Sequence, residues 1–237
     1  MWNSALTMPN PDKPLRLVIF DVDGTLIDSQ NFILAAMRRA FADAEQPAPS
    51  VEATLGIVGL SLPEAMEVLM PGVPEVERDR LVQLYKDSFR ILREESGGEA
   101  QAPFYPGARA ALERLDGAGY LLSIATGKAR RGLDHMLDSH GLRRLFTGTQ
   151  TADDAPSKPH PGMVLNCLAA TGVEGRHAVV VGDTEYDMAM ARAAGARAVG
   201  VEWGYHPTER LLRGGAECIV GDFAALDAVL GEIWEGV

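Results

Sequence analysis

The stretch Leu17-Val18-Ile19-Phe20-Asp21-Val22-Asp23-Gly24-Thr25 constrains the chain most, because an apolar run stops there at two acids and a glycine. A run of this length fits a strand buried on both faces of a parallel sheet, and open α/β sheets bind ligands beyond the carboxyl ends of their strands. Asp21 and Asp23 are thus expected at the mouth of a site. Alone, Asp-x-Asp-Gly also describes a strand-to-loop turn with solvated acids, or an acid pair that holds a metal without covalent chemistry. It does not describe an EF-hand calcium loop. The fifth, sixth and twelfth places of that loop need an acid or Asn, Gly and Glu, and here they hold Thr25, Leu26 and Phe32.

Downstream, helical periodicity dominates first. Ile33, Met37, Ala40 and Phe41 make one apolar face of a helix over 31–44, with Ser29 as its cap. A break at Pro47 to Ser50 is followed by a loop, Gly56 to Leu62, and a helix from Ser61 to about Met70. A longer helix spans Pro74 to about Glu95, with Leu81, Tyr85, Phe89 and Leu92 in register. From Pro106 onward strands and helices alternate. Strands are expected at Tyr120–Ala125, Ala178–Val181, Ala198–Val201 and Cys218–Val220, with a short apolar piece at Leu145-Phe146. Such alternation implies an α/β protein with a parallel sheet covered on both faces. The all-helical segment 30–100 then reads as an insertion into a core formed by 15–29 and 101–237, preceded by a flexible arm, residues 1–14.

Bulk properties narrow the function. The chain has 237 residues, enough for a main domain and a smaller inserted one, and its 46% hydrophobic and 23% charged content is ordinary for a soluble globular protein. A net charge of -11 argues against non-specific nucleic-acid binding, and it would repel a phosphate-bearing substrate unless a cation intervened. Cys167 and Cys218 have no metal-type spacing and are too few for a disulfide framework. With a leader that has neither a signal-peptide core nor a membrane span, they point to a cytoplasmic protein with no membrane partner.

Other strands also end in usable groups. Thr126-Gly127-Lys128 follows one strand, Gly182-Asp183 through Asp187 follows another, and Ser157-Lys158-Pro159 lies between them. Each has an ordinary reading: a helix cap and turn, acids complementing a helix dipole, a solvated lysine. A P-loop is excluded, since Leu122 and Ala129 stand where it needs Gly and Ser or Thr. Together, though, these groups fall on one edge of one sheet. In that order they resemble the four motifs of the haloacid dehalogenase superfamily of phosphotransferases: Asp21-Val22-Asp23-Gly24-Thr25, Thr126-Gly127, Lys158 with Pro159, and Gly182-Asp183 through Asp187. Gly59-Leu60-Ser61-Leu62 and Trp203-Gly204-Tyr205 are similar to phosphoglycolate phosphatases.

The resemblance implies a Rossmann-like core with a helical cap, and a magnesium-dependent phosphatase of small phosphate monoesters acting through an aspartyl-phosphate. It makes Asp21 the nucleophile and Asp23 the acid and base. Thr126, Gly127 and Lys158 bind the phosphoryl group. Mg2+ falls to Asp21, Asp183 and the backbone carbonyl of Asp23, while Asp187 orients Lys158 or a metal-bound water. Gly97-Gly98 and the prolines at 103 and 106 are candidate hinges, and Arg38, Arg39, Lys86, Arg90 and Arg93 candidate cap cations for an anionic leaving group. A β-phosphoglucomutase-like mutase and a catalytically silent binding module stay open beside the phosphatase, as does a homodimer.

Overall fold

The computed structural model describes residues 14–95 and 102–235. Nearly all of the expected N-terminal arm, and the Gly97-Gly98 hinge, lie outside the described residues. β1 (Leu17–Phe20) is buried at every position and pairs in parallel with β2 (Leu121–Ala125) on one side and β4 (Ala178–Gly182) on the other. With β3 (Gly148–Gln150), β5 (Arg197–Val201) and β6 (Cys218–Val220) the sheet runs β3-β2-β1-β4-β5-β6, parallel throughout. The order reverses at β1, so the crevice beyond the ends of β1 and β4 is where a doubly wound sheet opens to a ligand.

Successive side chains of β1 point to opposite faces, and both faces are covered. Val18 and Phe20 join one core with Leu112 of α5 (Ala108–Gly117), Leu133 of α6 (Arg130–Ser139) and Leu230 of α10 (Ala225–Glu235). Leu17 and Ile19 join a second with Met163 of α7 (Gly162–Thr171), Met188 of α8 (Glu185–Ala193) and Leu211 of α9 (Thr208–Gly214).

Between β1 and α5 the described chain is helix and loop: α1 (Gln30–Asp43), α2 (Val51–Leu55), α3 (Leu62–Leu69) and α4 (Glu75–Glu95). These helices share their own core, with Met37, Phe41, Ile57, Met66 and Leu81 in contact. The chain leaves and re-enters the sheet domain side by side: Asp28 N donates to Pro103 O at 2.9 Å, and Tyr105 N to Leu26 O at 3.0 Å. Among the described residues no helix is long and apolar enough to cross a membrane.

Two elements differ from the sequence expectation. α2 has only five residues, too few for periodicity to register, and is started by Ser50, whose side chain accepts from Ala53 N. The piece at Leu145-Phe146 is a 3-10 turn, and the strand lies beyond it at Gly148–Gln150, an edge position whose half-buried side chains carry no apolar run.

The helical layer sits down on the sheet edge through backbone groups. Gly56 O, at the end of α2, accepts from Tyr186 Oη at 3.0 Å and faces His206 Nε2 at 3.2 Å, while Ser61 N donates to Ser157 Oγ at 2.7 Å. His206 Nδ1 accepts from Glu185 N at 3.1 Å, which fixes the proton on Nε2 and the ring as neutral. Burial, and then the Arg210 charge, push this imidazole down to about 4. A histidine whose native pKa is depressed loses stability as pH falls, because the unfolded chain takes the proton first. Urea unfolding should therefore lose roughly 3 kcal/mol between pH 7 and pH 4 through this group alone. In His206→Asn that increment should vanish; an unchanged acid slope would refute it.

Candidate active site

Four loops, beyond the carboxyl ends of β1, β3, β4 and β5, meet at one buried cluster. Lys158, held between Ser157 and Pro159, is about 1% exposed, and its Nζ donates to Asp21 Oδ1 at 2.8 Å and Asp187 Oδ1 at 2.6 Å. The reading of Lys158 as a solvated lysine is thereby excluded. Burial opposes its charge, but Asp187 and Asp21 outweigh that and raise its pKa. Asp187 turns its other oxygen to Thr184, accepting from Thr184 N at 3.1 Å and Oγ1 at 2.6 Å, the capping box that starts α8.

Asp183 is held by Thr25 Oγ1 on Oδ1 and by Tyr205 N on Oδ2, each at 2.9 Å. Its loop tolerates no side chains nearby. A Cβ on Gly24, whose φ is +90°, would come within 2.2 Å of Asp183 Oδ2, and one on Gly204 within 2.1 Å of Asp183 Cβ. Burial, followed by the charges of Asp21 and Asp187, raises the Asp183 carboxyl well above its ordinary range. Asp21 is pushed up to about 6, with burial dominant and Lys158 pulling the other way.

Carboxylate oxygens of Asp21, Asp183 and Asp187 lie within 4.8 Å of one another. Three acids thus face a single ammonium, and Asp21 Oδ2 is buried with no hydrogen-bond partner. An all-oxygen set with surplus negative charge and an orphaned lone pair suits a hard divalent cation.

Asp23 sits at the rim of this cluster. Its carboxylate accepts from Ser29 Oγ at 2.7 Å and from Lys128 Nζ at 2.9 and 2.7 Å. Lys128, passed over in the sequence beyond the P-loop test, is therefore part of the site; its place directly after Thr126-Gly127 was the available signal. Ser29 is also redirected. It stands at the N-cap of α1 but makes no side-chain cap bond, and its hydroxyl instead links Asp23 to Tyr205 Oη at 3.0 Å. The helical layer covers the other side: a Cβ on Gly127 would meet Gly59 O at 2.5 Å and Leu60 O at 2.6 Å. Of the candidate cap cations, Arg39 pairs with Glu95 and Arg90 with Glu94, whereas Lys86, Arg90 and Arg93 line the cavity above Asp21.

The sequence model for haloacid dehalogenase-like hydrolases matches residues 18–201. The chain belongs to that family. The chain is 34% identical over 209 residues to the probable phosphatase IndB of Dickeya dadantii, covering 88% of this chain and 90% of that protein. It is 30% identical over 222 residues to the phosphoglycolate phosphatase of Mesorhizobium japonicum, covering 91% and 95%. A hydrolase from Pseudomonas syringae superposes with a TM-score of 0.80 at 27% identity, covering 93% and 99%. As a haloacid dehalogenase-like hydrolase, the protein is an enzyme of the phosphatase kind.

Removing Lys158 tests the electrostatics directly. With no metal added, Lys158→Met leaves the acids uncompensated and should cost about 3–5 kcal/mol at pH 7.5. Carboxyls whose native pKa exceeds the unfolded value gain stability as pH falls, so the deficit should shrink at pH 5.5. Equal deficits by urea unfolding at both pH values would show that the cluster is not charge-strained.

Proposed function

We propose that the protein hydrolyses phosphate monoesters through an aspartyl-phosphate on Asp21, with Mg2+ as its cofactor. The observation that carries this reading is the division of labour within Asp21. Oδ1 is tied to Lys158, while Oδ2 is buried and unpartnered, and Asp21 lines the cavity that Thr126 and Gly127 share.

The phosphoryl oxygens take the Thr126 hydroxyl and the Gly127 N–H, and Asp21 Oδ2 attacks phosphorus as the ester oxygen leaves. Asp23 supplies the proton to that oxygen. In the second half Asp23 takes a proton from water, the water oxygen attacks phosphorus, and Asp21 is released with inorganic phosphate. Asp21, Asp183 and the Asp23 carbonyl would hold the Mg2+, which supplies charge neutralisation between two anions. Lys158 keeps Asp21 oriented and offsets charge on the transferring group.

Lys128 Nζ holds the Asp23 carboxylate and lines the same cavity as Thr126, so an arriving phosphoryl group offers its ammonium a competing anion.

The relatives that are phosphoglycolate phosphatases make small phosphorylated acids the first substrates to assay. Asp21→Asn should abolish turnover, and EDTA should do the same until Mg2+ is restored. Asp23→Asn should slow alkyl phosphate hydrolysis by about 10²–10⁴-fold but p-nitrophenyl phosphate far less, since that leaving group needs no proton. Equal losses on both esters would remove Asp23 from the acid role.

A further inference from the structure

The cavity above Asp21 is much larger than a two-carbon leaving group requires. It is a cleft of about 730 Å³ between the helical layer and the sheet edge, open to solvent on one side. Sites of this size enclose whole drug-sized ligands.

Its far wall is apolar and aromatic. Ile33 and Met37 of α1 and Tyr85 and Phe89 of α4 face the space. The rings of Tyr85 and Phe89 lie 6.0 Å apart, and Phe32 meets Phe89 edge-on at 4.3 Å, so the Phe89 face is braced from behind. Phe89 lies 5.7 Å from Lys128 Nζ, which places this wall directly beside the phosphoryl end. A small carboxylate against these rings would give up hydration for apolar contact, even with Lys128, Arg90 and Arg93 lining the same cavity. A planar ring would stack.

Tyr85 adds a polar handle. It is half-buried, and its hydroxyl has no hydrogen-bond partner among the described residues. Burial and then the nearby Asp23 charge keep the phenol protonated, hence a donor into the cavity. At the open side Lys86 and Arg131 are exposed, line the cavity and form no ion pair among the described residues, which draws an anionic ligand into an otherwise acidic molecule.

Resting on the phosphatase reading above, we propose that the preferred substrate is the phosphate monoester of a ring-bearing alcohol, with the ring against Phe89 and Tyr85 and a ring oxygen or hydroxyl on the Tyr85 phenol. Phosphoglycolate would then be a poor substrate despite the relatives' activity.

The test compares kcat/KM, with Mg2+ present, for phosphoglycolate, uridine 5′-monophosphate and pyridoxal 5′-phosphate, in the native protein and in Leu62→Trp. Leu62 lines the cavity and is only partly buried, so the larger ring projects into the space. The better ring ester should exceed phosphoglycolate by at least about tenfold, and Leu62→Trp should lower that ratio by a similar factor. A ratio below that, or one unmoved in a folded Leu62→Trp, overturns the inference while leaving the phosphatase reading intact. A folded, Mg2+-supplemented protein that hydrolyses none of these esters and no p-nitrophenyl phosphate overturns both.

Discussion

The bond from Lys158 to Asp21 and Asp187 is the interaction around which the site is arranged. Taking an ammonium and its carboxylates out of water costs several kcal/mol per ion unless geometry and further hydrogen bonds compensate. The chain supplies both. Lys158 reaches Asp21 across 137 residues and Asp187 across 29, and each carboxylate oxygen but Asp21 Oδ2 has a partner. This compensation falls short by one lone pair and an excess of negative charge, which sets the cluster apart from a closed salt bridge.

The sheet makes such convergence feasible. Because the strand order reverses at β1, loops leaving β1 and β4 diverge above a crevice instead of closing over each other. The crevice is narrow enough that glycine is needed wherever a second loop passes. Gly24 and Gly204 flank Asp183, and a Cβ on Gly182 would lie 2.4 Å from Asp187 Cγ. These three positions sit in different segments yet answer one requirement, that two carboxylates be approached by bare backbone.

Much of this was legible in the sequence because each catalytic candidate follows an apolar run or opens a helix, and periodicity locates such runs. Asp21, Asp23, Thr126, Lys158, Asp183 and Asp187 all stand on the edge expected for them. What was not legible depends on pairing between distant segments. Lys128 reads as the end of a turn until its ammonium is seen 2.7 Å from Asp23, 105 residues away. Ser29 reads as a helix cap, yet its hydroxyl is spent on Asp23 and Tyr205. Local rules rank what a side chain does for its own helix; they carry no information about a stronger partner arriving from another loop. β3 and α2 escaped for a different reason, since three and five residues are too short for either period to repeat.

The two layers of the molecule are joined with unequal strength, and the inequality fits a site that must be dry during chemistry and open between turnovers. Within the sheet domain the charged cluster is buried and multiply bonded, so its geometry persists. The helical layer is attached to it by neutral contacts: Gly56 O to Tyr186 and His206, and Ser61 N to Ser157 Oγ. Bonds of this kind contribute about 1 kcal/mol each, because water replaces them when they part. Lifting the layer therefore costs only a few of them, while the paired strands of chain at Ile27 and Phe104 keep the two parts in register. The buried acids are held from several sides, whereas the helical layer above them is held by few bonds.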